Sequence, residues 1–510
     1  MRIIECVPNF SEGRNYKILD AISAQIKSVK GVSLLDVDPG ADTNRTVFTM
    51  VGEPEKVIDA AFLAIKKASE LIDMSKQKGT HPRMGATDVC PLIPVSEVTM
   101  EECIEYSKQL GKRVGEELDI PVYLYEYSAS KPEWKNLANV RKGEYEALPQ
   151  KMENPDWKPD FGPQKFNAKA GATAISAREF LIAYNINLNT RNKKVAKDIA
   201  LDIREKGRWD RDENNKIKKD ENGKKIRLKG LFTNCKAVGW YIDEYNRAQI
   251  SMNLTNYKTT PPHIVLEKVR ELATKKNVQV TGSELVGLIP KDAILQAGKY
   301  YLNRMGDGTG LPEEMIIETA IQSMGLNDLA EFDVTKKVIE YSIKDNNKLV
   351  YMSLKKFNDI LSTDAPAPGG GSVAGLNAAL AGSLVSMVGN LTIGRKKFED
   401  VEAEANELAE KGQSVKERAL AAIDKDTVVF FDMMDAMRLK NKTKEQKAIR
   451  AKAMEKATKK AIAVPMEALE ISYEAVLLSD AIGKIGNPHA VSDAGVAAIN
   501  ANAAAKSAYL

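Results

Sequence analysis

At 510 residues and 43% hydrophobic content the chain is long enough for two to four domains with packed cores. A formal net charge of +4 demands neither a nucleic-acid nor a membrane partner, and no unbroken apolar run reaches the roughly 18–20 residues of a membrane span. Four scattered cysteines and three histidines, without a CxxC pair, leave little material for a structural zinc site and point to a reducing cytoplasm.

The N-terminus carries Arg2 and Glu5 and lacks the apolar stretch of a signal peptide. Residues 2–9 read as a short apolar strand. Ile18, Leu19, Ile22 and Ile26 give helical spacing over 16–29. Two strands follow, 32–38 and 46–51, joined by a turn-rich stretch. Pro54 then opens a helix over 55–72, at a position proline tolerates. The loop Lys78-Gly79-Thr80-His81-Pro82-Arg83-Met84-Gly85 leads into an apolar strand, 89–95. The order is βαββαβ. It recurs as strand 180–188, helix 193–206, strands 237–243 and 248–255, helix 262–276 and strand 278–289. Such a unit reads as a ferredoxin-like split βαβ sandwich, and a second copy is an economical cover for its open face. A cleft between two copies would be a common place for a ligand.

Between the copies, 102–119 reads as an added helix and 121–126 as a strand, followed by a proline-rich stretch, 149–163. The Lys-rich segment 207–230 contains Asn-Gly and reads as an exposed hairpin or loop. Past residue 330 the pattern becomes helical. Helices are expected over 373–393, 401–437, 443–477 (bent near Pro465) and 492–510, the last capped by Ser492 or Asp493. That helix runs to residue 510 without a glycine stop, as though cut within a helix. The fold class is therefore α+β followed by an all-α bundle.

His81 is the first candidate for chemistry, because imidazole exchanges protons near neutral pH. The competing reading is a satisfied loop histidine. Arg83 could hold an anionic group, and Asp36, Asp38 or Asp42 could orient the imidazole. Ala367-Pro368-Gly369-Gly370-Gly371-Ser372 opens the first long helix of the bundle, where backbone and helix dipole could meet an anion. It matches no nucleotide-binding motif. Asp424 and Asp426 interrupt an apolar helix and point about 200° apart, so they cannot share one pocket. Each is either a solvated acid or a buried one with a raised pKa. Asn390, Asn487 and Asp493 are further polar candidates. Lysines cluster over 216–229 and 440–460, as solvated faces or as an attraction for polyanions.

Several segments together are specific. They are Cys6-Val7-Pro8-Asn9-Phe10-Ser11-Glu12-Gly13, the stretch 36–47, His81-Pro82-Arg83-Met84-Gly85-Ala86 and Pro121-Val122-Tyr123-Leu124-Tyr125. To these add Gly143-Glu144-Tyr145-Glu146-Ala147-Leu148-Pro149, Asp160-Phe161-Gly162-Pro163, Gly171-Ala172-Thr173 and the glycine run 367–372. Over essentially its whole length the sequence resembles the formimidoyltransferase–cyclodeaminases, bifunctional folate enzymes of histidine breakdown. The resemblance implies two formimidoyltransferase subdomains (1–180 and 181–326), a linker (327–334) and a helical cyclodeaminase domain (335–510). It makes His81 the transferase's catalytic histidine and Asp426, not Asp424, the cyclodeaminase's catalytic aspartate. It lays the folate-binding stretch on Gly162, Pro163, Gln164, Lys165, Phe166, Asn167, Ala168, Lys169, Ala170 and Gly171. Asp38, Arg45, Arg83, Gly369, Gly370, Gly371 and Ser372 are supporting candidates.

The implied substrates are N-formimino-L-glutamate and tetrahydrofolate, the latter polyglutamylated, with no metal. The lysine clusters could then keep the anionic intermediate near the surface between two sites. The implied assembly is a homo-oligomer, a dimer or an octameric ring of dimers, with no nucleic acid or membrane. Two departures stand out. The 207–230 insertion is longer and more basic than the resemblance leads one to expect, and family members continue for one more long helix past residue 510. Alternatives remain open: a monofunctional glutamate formimidoyltransferase whose helical domain is inactive or acts as a cyclohydrolase, and an RNA-binding module. The near-neutral charge and the lack of an RNP-type aromatic motif weigh against RNA.

Overall fold

The computed structural model describes residues 2–79, 81–343 and 348–510. It divides into two compact units, one of residues 1–293 and 324–344, the other of 294–323 and 345–510.

The first unit holds two sheets. In the first, β1 (Ile3–Cys6) and β2 (Asn9–Phe10) act as one interrupted strand, lying between β4 (Arg45–Gly52) and β5 (Thr87–Ser96). The hairpin partner β3 (Val32–Gly40) forms the edge beyond β4. Two strands extend the other edge in parallel to β5: β7 (Thr173–Ala177) and then β6 (Val122–Glu126). Helices α1 (Tyr16–Lys27), α2 (Pro54–Leu71) and α3 (Met100–Leu118) supply apolar residues to the core behind the sheet. Alternation places Ile4, Cys6, Phe48 and Met50 in that core with Leu19, Ile22, Ile26, Val57 and Ile65. Caps fix the helix starts: the Asn15 side chain accepts from the Lys17 N–H, Pro54 sits in the first turn, and Thr99 forms a capping box with Glu102.

Part of the opposite face is covered locally. The excursion between β6 and β7 brings Trp134, Val140, Leu148 and Met152 against Met84, Val89, Tyr123 and Ala174. Tyr123 meets Trp134 edge to face at 5.2 Å.

The second sheet contains β8 (Ile182–Leu188), β11 (Cys235–Ile242), β12 (Arg247–Leu254) and β13 (Val280–Val286), all antiparallel in the order β11-β12-β8-β13. Helices α4 (Lys193–Ile203) and α5 (Pro262–Thr274) connect them. Counted along the chain this order is second, third, first, fourth, and β3-β4-β1/β2-β5 repeats it. The short strands β9 (Arg208–Trp209) and β10 (Arg227–Leu228) form the base of the expected hairpin. Arg227 lies 3.5 Å above the Trp209 ring, and Asp212 and Asp220 close two successive turns on backbone N–H groups.

Two helices went unforeseen, α6 (Lys291–Met305) and α7 (Glu313–Met324). Residues 294–323 belong to the helical unit, which divides the chain differently from the expected boundaries at 326 and 335. Side chains explain the placement: the Thr309 N–H donates to Asn406 Oδ1 (2.8 Å), Asn390 Nδ2 to the Gly310 carbonyl (2.8 Å), and Lys299 pairs with Glu410 at 2.9 Å.

The rest of that unit is α8 (Leu354–Leu361), α9 (Gly370–Asn390), α10 (Glu402–Arg438), α11 (Lys444–Ile485) and α12 (Val491–Tyr509). Small residues line its core: Ala378, Ala381, Ala419, Ala475, Ala494, Ala497 and Ala501, with Val385, Ile471 and Leu478. α11 runs as one helix through Pro465, and the N-cap position of α12 is Ala490, which makes no side-chain cap, rather than Ser492 or Asp493. By length and composition alone α9 could cross a membrane. Gly, Ser and Asn interrupt the helix, so no unbroken apolar run marks it in the sequence. More than half of its apolar stretch is buried inside the protein, as in a core helix.

Candidate active sites

His81 sits on the loop between α2 and β5, and the loop is fastened at several points. Asn44 Nδ2 donates to the Lys78 carbonyl and Gln77 Nε2 to the Asn44 carbonyl, each at 2.9 Å. Gly79 passes so close to the β3–β4 turn that a Cβ would lie 2.1 Å from the Thr43 oxygen. The His81 ring is half-buried, with Nδ1 2.7 Å from the Pro82 carbonyl. A carbonyl only accepts, so Nδ1 carries the proton and Nε2 keeps its lone pair. Burial lowers the imidazole pKa, and the nearby guanidiniums of Arg45 and Arg141 lower it further. The neutral ring, a base, is therefore the favoured form.

Two of the expected partners, Asp36 and Asp38, have other engagements. Among the described residues His81 makes no hydrogen bond to Asp36 or Asp38. Asp36 accepts from the Val37 N–H, and Asp38 contributes its charge to Arg45. Arg83 is occupied: its guanidinium meets Glu146 at 2.7 Å, Glu144 at 3.1 Å and Gln77 Oε1 at 2.8 Å. It holds the loop rather than presenting donors to a substrate. Two residues that sequence patterns did not single out, Asp88 and Arg141, form an ion pair behind the loop.

The stretch from Gly162 to Gly171 runs beside this loop. Gly171 bridges to Gly85, and the Ala86 N–H donates to the Ala170 carbonyl at 2.8 Å. Tyr145 ties the two together, donating its N–H to the Arg83 carbonyl (2.9 Å) and its hydroxyl to the Ala168 carbonyl (2.6 Å). Its ring lies 5.5 Å from Phe166. Gln164 bonds to the Met152 carbonyl, Asn167 caps the Ala170 N–H, and Lys169 reaches the Glu70 carbonyl. Pro163 and Lys165 lie on the same strip, with Lys165 exposed. A separate cleft of about 590 Å³ lies at the edge of the second sheet, where Arg204, Lys206, Lys236, Val238, Ser251 and Asn253 contribute to its wall.

In the helical unit the two aspartates separate as helical geometry requires. Asp424 accepts the Leu349 N–H at 2.8 Å. Asp426, half-buried, accepts from Ser372 Oγ at 3.1 Å and faces a cavity of about 180 Å³ with Gly371, Ala422, Pro465 and Ala468 among its lining. Ser372 lies in the first turn of α9, whose N-cap is Gly369. Gly369 and Gly370 have open space where side chains would project. Asn390 and Asn487 serve structure: Asn487 caps the His489 N–H and donates to the Leu391 carbonyl, and Asp493 lies in the first turn of α12.

Gly371 lies under the Asp426 carboxylate, and a Cβ there would stand 2.3 Å from Oδ1. The obstructing atoms are the end of a side chain, which can swing away at little cost. Gly371→Ala is expected to leave the melting temperature within a few degrees while displacing the carboxylate and lowering any reaction that depends on it by about tenfold or more. Full activity in that variant would show that the carboxylate's position does not matter.

A neutral imidazole in a fastened loop of an α+β unit, and a carboxylate in a cavity of a helical unit, are chemistry suited to an enzyme that transfers protons. Three family models match in succession: "Formiminotransferase domain, N-terminal subdomain" over residues 3–178, "Formiminotransferase domain" over 183–344 and "Formiminotransferase-cyclodeaminase" over 353–510. A formimidoyltransferase-cyclodeaminase of Mus musculus is 42% identical over 98% of this chain and 89% of its own length. A glutamate formimidoyltransferase of Streptococcus pyogenes is 43% identical over 59% of this chain and 93% of its own. A methenyltetrahydrofolate cyclohydrolase of Methylorubrum extorquens is 38% identical over 31% of this chain and 76% of its own. The chain belongs to the formimidoyltransferase-cyclodeaminase family.

Proposed function

We propose that the two centres run consecutive reactions on one folate. At the first, N5 of tetrahydrofolate attacks the formimino carbon of N-formimino-L-glutamate. Nε2 of His81 takes the N5 proton and returns it to the glutamate nitrogen as the carbon–nitrogen bond breaks, so one imidazole serves as base and then acid. The 162–171 strip beside the loop holds the folate. At the second centre N10 closes onto the carbon of the formimino group in its amidinium form, Asp426 takes the N10 proton and passes it to the departing nitrogen, and ammonia leaves to give 5,10-methenyltetrahydrofolate. The observation that carries this reading is the pairing of a neutral, Nδ1-anchored His81 with a separate Asp426–Ser372 site.

The finer parts of the proposal have their own support. The shared strand order of the two sheets suits a pair of ferredoxin-like subdomains, 1–180 and 181–326. Phe430 and Phe431 on α10, with Ile449, Ile462 and Met466 on α11, are exposed apolar residues that suit a homo-oligomer, a dimer or a ring of dimers. The exposed lysines of 216–229 suit a polyglutamylated folate, and the buried free thiols suit the cytoplasm.

A two-readout assay tests the reading with mono- and polyglutamyl tetrahydrofolate. Glutamate release together with methenyl absorbance is expected, with the polyglutamyl form preferred. Glutamate release alone would leave a monofunctional transferase, and neither signal would dismiss the proposal.

A further inference from the structure

Asp88, the second residue of β5, is buried, with its side chain 1% exposed. One carboxylate oxygen accepts the Met84 N–H at 3.0 Å, and the other takes Nη2 of Arg141. Met84 belongs to the His81 loop, so this single carboxylate fixes both the loop and the guanidinium. Arg45, from β4, feels the charges of Asp88, Arg141 and Asp38. The Nε–H groups of Arg45 and Arg141 are both buried and have no hydrogen-bond partner among the described residues. Buried donors are nearly always satisfied. Two unmet guanidinium donors close to one imidazole point to an acceptor that arrives with the substrate.

We propose that Arg45 and Arg141 form the subsite for the α-carboxylate of the formimino donor, and that Asp88 is the positioning residue for Arg141. The inference rests on the transferase reading above. Both substrates carry glutamyl carboxylates, and their chemistry separates them. In the donor the α-carboxylate sits on the carbon that bears the departing nitrogen, within reach of groups beside the reacting imidazole. In the folate the carboxylates lie beyond the pterin and the aminobenzoyl ring, far from N5. A carboxylate held next to His81 therefore belongs to the donor. Arg suits the task because its planar fork meets a carboxylate with two donors.

Steady-state kinetics of the full chain test this. Transferase activity in the unsubstituted protein comes first, and its absence would sink the underlying reading rather than the subsite. Given activity, Arg141→Gln is expected to raise KM for N-formimino-L-glutamate by about tenfold to a hundredfold, the range for losing a charged hydrogen bond, with KM for tetrahydrofolate within about twofold. Arg141→Lys should recover part of the loss, and Asp88→Asn should imitate it more weakly. Removing the Arg141 charge should also move the acid limb of the pH–rate profile upward. The groups whose charges reach the His81 imidazole are Arg45, Arg141 and Glu144. A formimino donor without the α-carboxylate should react equally poorly with the parent and with Arg141→Gln. If Asp88→Asn fails to fold, the half-buried Arg141 still carries the test. An unchanged donor KM in Arg141→Gln, or equal rises in both KM values, would overturn the assignment.

Discussion

Replacing His81 with alanine is expected to slow formimino transfer by roughly a hundredfold to ten-thousandfold, the span of a lost general acid–base group. Ring closure of added 5-formiminotetrahydrofolate should be unchanged, because that chemistry belongs to the other unit. The pH dependence carries the mechanism further. Burial, then Arg45 and Arg141, lower the imidazole pKa from its ordinary value of 6.5. A base works only when unprotonated, so the transfer rate should hold its plateau as pH falls through 6.5 and decline only at lower pH. A decline centred above 6.5 would mean that His81 is stabilised as a cation and that another group is the base. Free imidazole restoring part of the alanine variant's rate would identify the missing function as proton transfer.

Asp426→Asn should do the converse. Asparagine keeps the size and an oxygen for Ser372 Oγ, which now lies 3.1 Å from the carboxylate. What it loses is the group that exchanges a proton with the substrate. Cyclisation should drop by roughly a hundredfold or more, with glutamate release intact. The product of the coupled reaction would then stop at the 5-formimino stage and accumulate without methenyl absorbance. Asp424→Asn is the control: Asp424 holds the Leu349 N–H on another side of the helix, so stability rather than rate should change. If Asp424→Asn lost cyclisation and Asp426→Asn did not, the two roles would have to be exchanged.

Local patterns made much of this readable beforehand. The βαββαβ repeats announce themselves through periods of two and 3.6, and the separation of Asp424 from Asp426 follows from the turn per residue of a helix. Strand β7 escaped because Thr-Ala-Ile-Ser-Ala is short and built of small residues, which strands and helices share. Helices α6 and α7 escaped where glycines and a proline punctuate 306–312 and mask two amphipathic stretches. The membrane-length apolarity of α9 was hidden by its glycines and serines. At the first candidate site, loop chemistry singles out His81 in the sequence, whereas nothing local singles out Asp88 or Arg141. They lie 53 residues apart and gain meaning only when tertiary packing removes water from both. Arg83 shows the reverse error. Its position suggested an anion hold, but Glu144 and Glu146, some sixty residues later, consume its donors.

The assignment of residues 294–323 to the helical unit bears on how the enzyme can be divided. The path leaves the first unit after residue 293, returns at 324 and leaves again after 344. No single cleavage can therefore release both units intact. A fragment ending near residue 334 keeps α6 and α7 without Asn406 and Glu410, the side chains that anchor them, and the remainder loses two helices of its own. Two activities that are chemically separable are, as a polypeptide, interleaved.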